Sequence, residues 1–225
     1  GIRDIGVTGV QTCALPIWPD ALGDAAGALE HLDLAVWFSG DDPGLLCLRG
    51  QARLSAGDAA GALSDADGAV RLAPTDPAPL RLRATVSTVL DRADEALADA
   101  QAVVDLAGGG NAEALNLRAY TRALLRRDLP AALEDIEKAL SGAGPELPEH
   151  LDTRGYILHL LGRNAEAIDD LNRAIDGMQE LRRQLSLRVG RADATVLAQR
   201  LRLVDQGLAV MHRHRADACR EAGFE

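Results

Sequence analysis

The stretch GDAAGAL occurs twice in the chain, at Gly23–Leu29 and again at Gly57–Leu63, 34 residues further on. Repetition at a fixed period of this length is typical of proteins that are built by stacking one small structural unit. The repeat therefore decides the architecture, and the remainder of the sequence can be aligned to it.

Two further strings recur on nearly the same period, out of phase with each other. The first begins with leucine and ends with arginine and a small residue; it starts at Leu46, Leu80, Leu115 and Leu151, as LCLRG, LRLRA, LNLRA and LDTRG. The second contains a central aspartate and starts at Ala62, Ala96, Ala132 and Ala167, as ALSDA, ALADA, ALEDI and AIDDL. Two interleaved motifs indicate two structural elements in each repeat.

Each element has the pattern of an amphipathic helix. In the segment 62–70, apolar residues recur at positions i, i+1, i+4, i+7 and i+8, which form one stripe of a helix with about 3.6 residues per turn. Gly57 and Gly162 stand where the first helix of a repeat must turn into the second. Pro74 follows the end of a second helix, since proline cannot continue one.

A two-helix unit of this length, with a small residue in the first helix, glycine at the turn and alanines in the second helix, resembles the tetratricopeptide repeat. The stretch Leu161–Ile175, LGRNAEAIDDLNRAI, is the most similar segment, followed by Gly57–Pro74. The resemblance implies an all-α protein folded as a right-handed α-α superhelix. The sequence departs from the family pattern at Asp91, where glycine is usual, and at Gly108, where proline is usual.

The register also predicts how the chain is divided. Residues 18–188 are expected to form the array, with a partial repeat followed by complete repeats at 43–76, 77–111, 112–147 and 148–188. Residues 189–225 are expected to form a long helix that ends in a partial repeat, because Arg215 there corresponds to Arg49 and Gly223 to Gly57. Both ends look like cut repeats, and a cut end exposes an apolar face.

The first seventeen residues have no helical or strand periodicity. The segment from Val7 to Ile17, VTGVQTCALPI, looks like the in-frame translation of a common short-read sequencing adapter. Residues 1–17 are therefore expected to be a foreign, unstructured artefact, which should be set aside in fold reasoning. On this interpretation Cys13 has no function, and the natural N-terminus is missing.

Composition supports the helical interpretation and excludes several classes of function. Alanine and leucine are strong helix formers, whereas aromatic residues are only 3% of the chain. The net charge of −10 argues against a nucleic-acid or membrane surface, which would need a basic patch. The three separated cysteines predict neither a disulfide framework nor a zinc site. We expect a cytoplasmic protein, and the arginine-rich, lysine-poor usage is typical of a high-GC bacterial genome.

An arginine and an aspartate recur in every complete repeat, 16 or 17 residues apart, and are expected to face each other across the hairpin. They could form an anion-binding ladder of arginines or internal ion pairs that hold the repeat in register, and the second interpretation is preferred. Removing Arg118 is then expected to leave Asp135 unpaired and to cost roughly 3 kcal/mol. The predicted pairs are Arg49 with Asp65, Arg83 with Asp99, Arg118 with Asp135, and Arg154 with Asp170.

The resemblance places a partner-binding groove on the concave face. The two tyrosines occupy equivalent positions there, two residues after their repeat's arginine, and tyrosine and arginine dominate binding hot spots. The alternative is that these tyrosines only fill the packing between repeats. No lysine stands at the groove positions, so the carboxylate clamp of the family's chaperone-binding members is not expected. The predicted groove residues are Gln51, Arg81, Thr85, Asn116, Tyr120, Asp152, Tyr156 and His159.

No arrangement in the sequence predicts catalysis or a cofactor. His212 and His214 are two apart, so on a helix they point about 200° apart and cannot chelate one metal ion. Cys219 is five residues beyond His214, which is also a poor spacing. The glycines at 108–110 follow no strand and so do not form a dinucleotide-binding turn.

These observations predict a non-enzymatic scaffold that binds a peptide or a partner's helix in its concave groove. One alternative is an accessory domain of a larger enzyme, or of a signalling or regulatory protein, whose active domain lies outside this sequence. Self-association by end-to-end stacking is a third alternative.

Overall fold

The computed structural model describes residues 22–39, 42–142, 147–187 and 194–223, without the side chains of 22–28, 194–196 and 199. The expected artefact at 1–17 lies outside these residues. The described ranges are helical and contain no strand, which confirms the all-α prediction. The helices are α1 (Leu22–Ser39), α2 (Pro43–Ser55), α3 (Ala59–Leu72), α4 (Pro77–Val89), α5 (Ala93–Leu106), α6 (Ala112–Leu124), α7 (Leu129–Leu140), α8 (Pro148–Leu160), α9 (Asn164–Ser186) and α10 (Ala194–Ala222).

The sequence marks the start of the helices with capping residues. Asp42, Asp76 and Asn111 accept hydrogen bonds from backbone N–H groups of the first turns of α2, α4 and α6, over 2.9 to 3.0 Å. Such caps satisfy donors that have no partner inside the helix. Proline occupies the first position of α2, α4 and α8, where its missing N–H costs nothing.

The turn inside each hairpin is made by a residue in the left-handed region. Gly57 and Gly162 have φ values of 84° and 76°, and the equivalent positions are filled by Asp91 at 55° and Arg126 at 51°. The departure from glycine at Asp91 therefore does not change the turn, although a side chain adopts this conformation less readily than glycine does.

The paired helices stack in two layers. The even-numbered helices, which are the first helices of the repeats, pack on one another in sequence from α2 to α10, whereas no comparable contact joins successive second helices in the described residues. The first helices therefore form the inner layer of a curved stack. Their side chains that point away from the second helices line its concave face.

Small residues let the two helices of a hairpin approach closely. Ala62, Ala66 and Ala69 of α3 are fully buried. A Cβ atom added at Gly155 of α8 would lie 2.7 Å from Leu171 of α9, which is closer than real Cβ atoms come. The core is thus built from alanine, glycine and leucine instead of large aromatic residues.

The last hairpin is longer than the others. Helix α9 has 23 residues where α3 and α5 have 14. Its second half packs on α10 through Met178 and Leu185, which contact Leu197 and Val204 in one buried cluster. In the described part of the chain, no helix is both long enough and apolar enough to cross a membrane.

Candidate partner-binding surface

The concave face has an open part and a closed part. The open part, on α2 and α4, consists of the exposed Gln51 and the half-buried Arg81 and Thr85. The closed part, on α6 and α8, consists of the half-buried Tyr156 and four buried residues: Asn116, Tyr120, Asp152 and His159. The structure therefore does not bring the eight predicted groove residues together as one accessible surface.

The open part is bordered by apolar side chains. Val89 lies one helical turn beyond Thr85 and is 48% exposed, and Leu124 at the end of α6 is 42% exposed. A protein interface typically combines an apolar centre with a polar rim. Arg81 also lies near Glu113 of α6, so the open part carries both charge and apolar area.

The closed part is filled by a row of three rings, Tyr120, Tyr156 and His214. The ring centroids of Tyr120 and Tyr156 are 6.4 Å apart, and Tyr156 stacks on His214 of α10 at 4.5 Å with an interplanar angle of 20°. His214 Nδ1 lies 2.9 Å from Asp152 Oδ1. Burial raises the pKa of Tyr156. These contacts run from α6 through α8 to α10, so both tyrosines take part in packing between repeats.

His159, near the end of α8, is held by two neighbouring helices. Its Nδ1 lies 3.0 Å from Asn164 Oδ1 at the start of α9 and 3.7 Å from Glu221 Oε2 near the end of α10. The side chain is 9% exposed. It thus joins three helices, and a partner could reach it only if they separated.

The arginine and aspartate of each complete repeat form a bidentate ion pair, here called the clamp. In each clamp the arginine Nε and Nη2 donate to the two carboxylate oxygens over 2.5 to 3.0 Å, and the aspartate is at most 7% exposed. The clamps join Arg49 to Asp65, Arg83 to Asp99, Arg118 to Asp135, and Arg154 to Asp170.

The remaining arginine nitrogen reaches the preceding repeat. Nη1 donates to the second helix before it at 2.6 to 3.2 Å, in the pairs Arg49 with Asp33, Arg83 with Asp67, and Arg118 with Gln101. The clamp arginine thus ties three helices together. Its hydrogen bonds to the clamp aspartate are the main reason that the pKa values of these three arginines are raised. Such engagement favours a structural role over an anion-binding ladder.

One expectation about the clamps is wrong. Asp135 also accepts a hydrogen bond from Arg122 Nη1 over 2.5 Å, so loss of Arg118 would not leave this carboxylate unpaired. Asp65 has the same second partner in Arg53. The sequence signal for this was an arginine four residues after the clamp arginine, which places both on one helical face.

The other candidate residues show ordinary chemistry. Burial raises the pKa of Cys47 to about 11, so its thiol stays protonated near neutral pH and is a poor nucleophile. No group of three histidine, cysteine or acidic side chains in the described residues is placed to hold a metal ion. His214 is buried and His212 is exposed, in keeping with their expected opposite directions.

His214 lies in the closed part of the concave face, but it was not among the predicted groove residues. The alignment of Arg215 with Arg49 contained the signal, because it gives His214 the register one position before a clamp arginine, where Leu82, Leu117 and Thr153 are buried and only Leu48 of the first complete repeat is exposed. A polar residue at such an inward position needs a buried partner, which Asp152 supplies.

Comparison with known proteins gives structural neighbours only. No protein-family model matches the chain, and no curated protein matches it. A thermophilic tetratricopeptide repeat protein of Thermus thermophilus has a TM-score of 0.62 at 19% identity, covering 83% of this chain and 92% of its own. A tetratricopeptide repeat protein from Parabacteroides merdae has a TM-score of 0.54 at 19% identity, and the match covers 91% of this chain and 72% of that one.

A third neighbour is YrrB, a tetratricopeptide repeat protein with an unusual peptide-binding site. Its TM-score is 0.51 at 15% identity, and the match covers 88% of this chain and all of that one. Identities this low establish the fold alone. Taken with the two-layer stack, the left-handed turns and the inner layer of first helices, they show that this chain has the right-handed superhelical fold of the tetratricopeptide repeat proteins.

Proposed function

We propose that the chain is a protein-interaction scaffold that binds an extended peptide or a helix of a partner protein on the open part of its concave face. The observation that carries the proposal is the difference in exposure between equivalent positions. Thr85 is half-buried beside the exposed Val89, whereas Tyr120 at the same register is buried. A partner can therefore reach α2 and α4 without disturbing the packing between repeats.

The mechanism is rigid presentation of side chains. Arg83 ties α4 to α5 through Asp99 and to α3 through Asp67, so the backbone that carries Arg81 and Thr85 is held in place on both sides. A preorganised surface loses little conformational entropy on binding. The peptide-binding site of YrrB supports a peptide ligand for this fold as well.

The test is site-specific photo-cross-linking in cells of the source organism. A photoreactive amino acid at Gln51 is expected to capture a partner that the same group at Ser64, an exposed residue of the second helix α3, does not capture. Thr85→Tyr should reduce the cross-linked yield at Gln51 by about tenfold, because the ring covers the open part, whereas Thr85→Ser should leave it unchanged. Equal capture at both sites, or no effect of Thr85→Tyr, contradicts the proposal.

A further inference from the structure

Exposed apolar side chains follow the edge of the array where each second helix leads into the next first helix. Phe38, Leu72 and Leu106 are 76%, 44% and 46% exposed. They share one register, because the two leucines each follow their clamp aspartate by seven residues, and Phe38 lies one period of 34 residues before Leu72. Equivalent residues of stacked repeats lie along one line, so the three side chains form a row. The row ends at the next repeat, where Gly142 has this register.

This exposure is a property of the register. Leu72 and Leu106 lie at the ends of α3 and α5, and each of these helices has described helices before and after it. Trp37, which precedes Phe38, has the register of Arg71 and Asp105, and these two residues are also exposed. The edge is therefore open to solvent inside the array as well as at α1.

The α1 end of the row is aromatic. The ring centroids of Trp37 and Phe38 are 4.6 Å apart with an interplanar angle of 79°, which is an edge-to-face pair. Trp37 is 75% exposed. Single exposed apolar residues are ordinary, but several along one line mark an interaction surface, and tryptophan is enriched in binding hot spots. The apolar row is defined here as Trp37, Phe38, Leu72 and Leu106.

Carboxylates flank the apolar row. Asp42 and Asp76 cap α2 and α4, the first helices that follow the first two positions of the row, and Asp105 directly precedes the third. All three are exposed, and one exposed arginine, Arg71, lies among them. Burial raises the pKa of Cys47, and the charges of Asp76 and Asp42 raise it further, so both carboxylates act on the same part of α2. The edge therefore carries an excess of negative charge.

We propose that the apolar row is a docking site for a basic amphipathic helix of a partner protein. The apolar face of that helix would cover the row, and its lysine or arginine side chains would pair with Asp42 and Asp76 at the border. One of these cations would lie over the ring of Trp37. The row shares no residue with the open part of the concave face, so this site goes beyond the function proposed above and does not depend on it.

Two independent observations select a basic occupant. The net charge of −10 and the carboxylates beside the row attract a cationic helix, whereas they repel a nucleic acid, an anionic membrane surface and a second copy of this chain. The exposed ring of Trp37 attracts lysine and arginine because the face of an aromatic ring carries partial negative charge. A neutral apolar helix would use neither feature.

The probe for this site is a fluorescein-labelled synthetic peptide of lysine and leucine, arranged as an amphipathic helix. Fluorescence anisotropy should show that it binds the full chain, and that a peptide with serine in place of leucine binds at least about tenfold more weakly. Trp37→Ser should weaken binding about tenfold and Leu72→Ser about threefold. Leu187→Ser, which changes an exposed leucine at the end of α9, is the matched control and should have no effect.

The contribution of charge is tested at two helix caps. Asp76→Asn removes a carboxylate beside the row and should weaken binding about threefold, an effect that falls with added salt. Asparagine also caps helices, so α4 should remain intact. Asp58→Asn removes an equal charge from the cap of α3, at the opposite edge of the array, and should leave binding unchanged.

The outcomes separate the possible occupants. Circular dichroism and thermal unfolding of every variant should match those of the unchanged chain, which shows that lost binding is not lost folding. Equal weakening by Asp58→Asn and Asp76→Asn, no binding, or binding that ignores both Trp37→Ser and Leu72→Ser overturns the proposal. Self-association in sedimentation velocity that Trp37→Ser abolishes would assign the row to a second copy and would also overturn it. Thr85→Tyr should leave peptide binding unchanged, so failure of the concave-face proposal is recognised separately.

Discussion

The two halves of the inner layer share one register but differ in the side chains that they place on the concave face. At the position two residues after the clamp arginine, the first two complete repeats carry Gln51 and Thr85, and the next two carry Tyr120 and Tyr156. The first pair leaves the concave face open. In the second pair Tyr120 lies against Tyr156, which stacks on His214, and these rings close the face. Since the backbone arrangement is the same, side-chain size and the neighbouring side chains determine which half is accessible.

This difference shows what a repeat does and does not specify. The clamp occurs in all four complete repeats and holds the helices together in both halves. The groove positions vary from repeat to repeat, so one half can contribute stability while the other contributes a surface. A repeat protein can therefore specialise its parts without changing its fold.

The largest expected effect comes from breaking the clamp of the open half. Asp99 is paired with Arg83 alone in the described contacts, because Ser87 stands where the first and third complete repeats have a second arginine, Arg53 and Arg122. Arg83→Ala should cost about 3 kcal/mol by leaving Asp99 buried without a partner. Arg118→Ala should cost clearly less, because Arg122 still pairs with Asp135. Urea unfolding followed by circular dichroism measures both.

The control for this pair is Arg92→Ala, which removes an exposed ion pair with Glu95 and should change stability by less than about 0.5 kcal/mol. If Arg118→Ala destabilises the chain as much as Arg83→Ala, then Arg122 does not support the clamp at Asp135. Each half would then depend equally on one arginine–aspartate pair.

The next effect comes from opening the closed half. Tyr156→Ala removes the ring between Tyr120 and His214 and should cost about 2 kcal/mol, a value reduced from that of a fully buried aromatic residue because Tyr156 is half-buried. Tyr156→Phe keeps the stack and should stay close to the unchanged chain. Thr85→Ala, at the same register, should cost less than about 0.5 kcal/mol.

Thermal unfolding of these three variants tests whether the two halves differ in stability as they do in exposure. An unchanged melting temperature for Tyr156→Ala would show that the aromatic row does not stabilise the array, and Tyr156 would again be a candidate for partner binding.

Much of the fold could be predicted because its determinants are local and repeated. Caps such as Asp42, turns such as Gly57 and clamp pairs such as Arg49 with Asp65 are fixed by residues within one period. The period recurs four times, so one departure such as Asp91 does not hide the repeat in the sequence. The turn at Asp91 keeps the left-handed conformation of the other hairpins.

The accessible part of the groove could not be predicted, because burial there depends on residues far apart in sequence. Asp152 is buried beside His214, 62 residues away, and the stacking of Tyr156 on His214 needs α10 to pack against α8. Register alone places Tyr120 and Thr85 on the same face, but it does not reveal that only one of them is covered.

The smallest expected effect lies at the boundary between the two halves. In α6, Oε1 of Glu113 lies 3.6 Å from Nε2 of the buried His150. Arg81 of the open part is close enough to act on the charge of Glu113. The pKa of Glu113 is held below its ordinary value, mainly by the contact with His150 and to a smaller degree by the charge of Arg81.

A depressed carboxyl pKa stabilises the folded state above the pKa of the unfolded chain, and this contribution is lost as pH falls through the folded-state pKa. Glu113→Gln should therefore cost less than about 1 kcal/mol near neutral pH, and the loss should disappear as pH falls through the lowered folded-state pKa of Glu113. Urea unfolding at several pH values measures this difference, with Glu134→Gln on the exposed side of α7 as the matched control. If the two free energies of unfolding differ by the same amount at every pH, the charge of Glu113 does not stabilise the boundary between the two halves, and packing alone holds it.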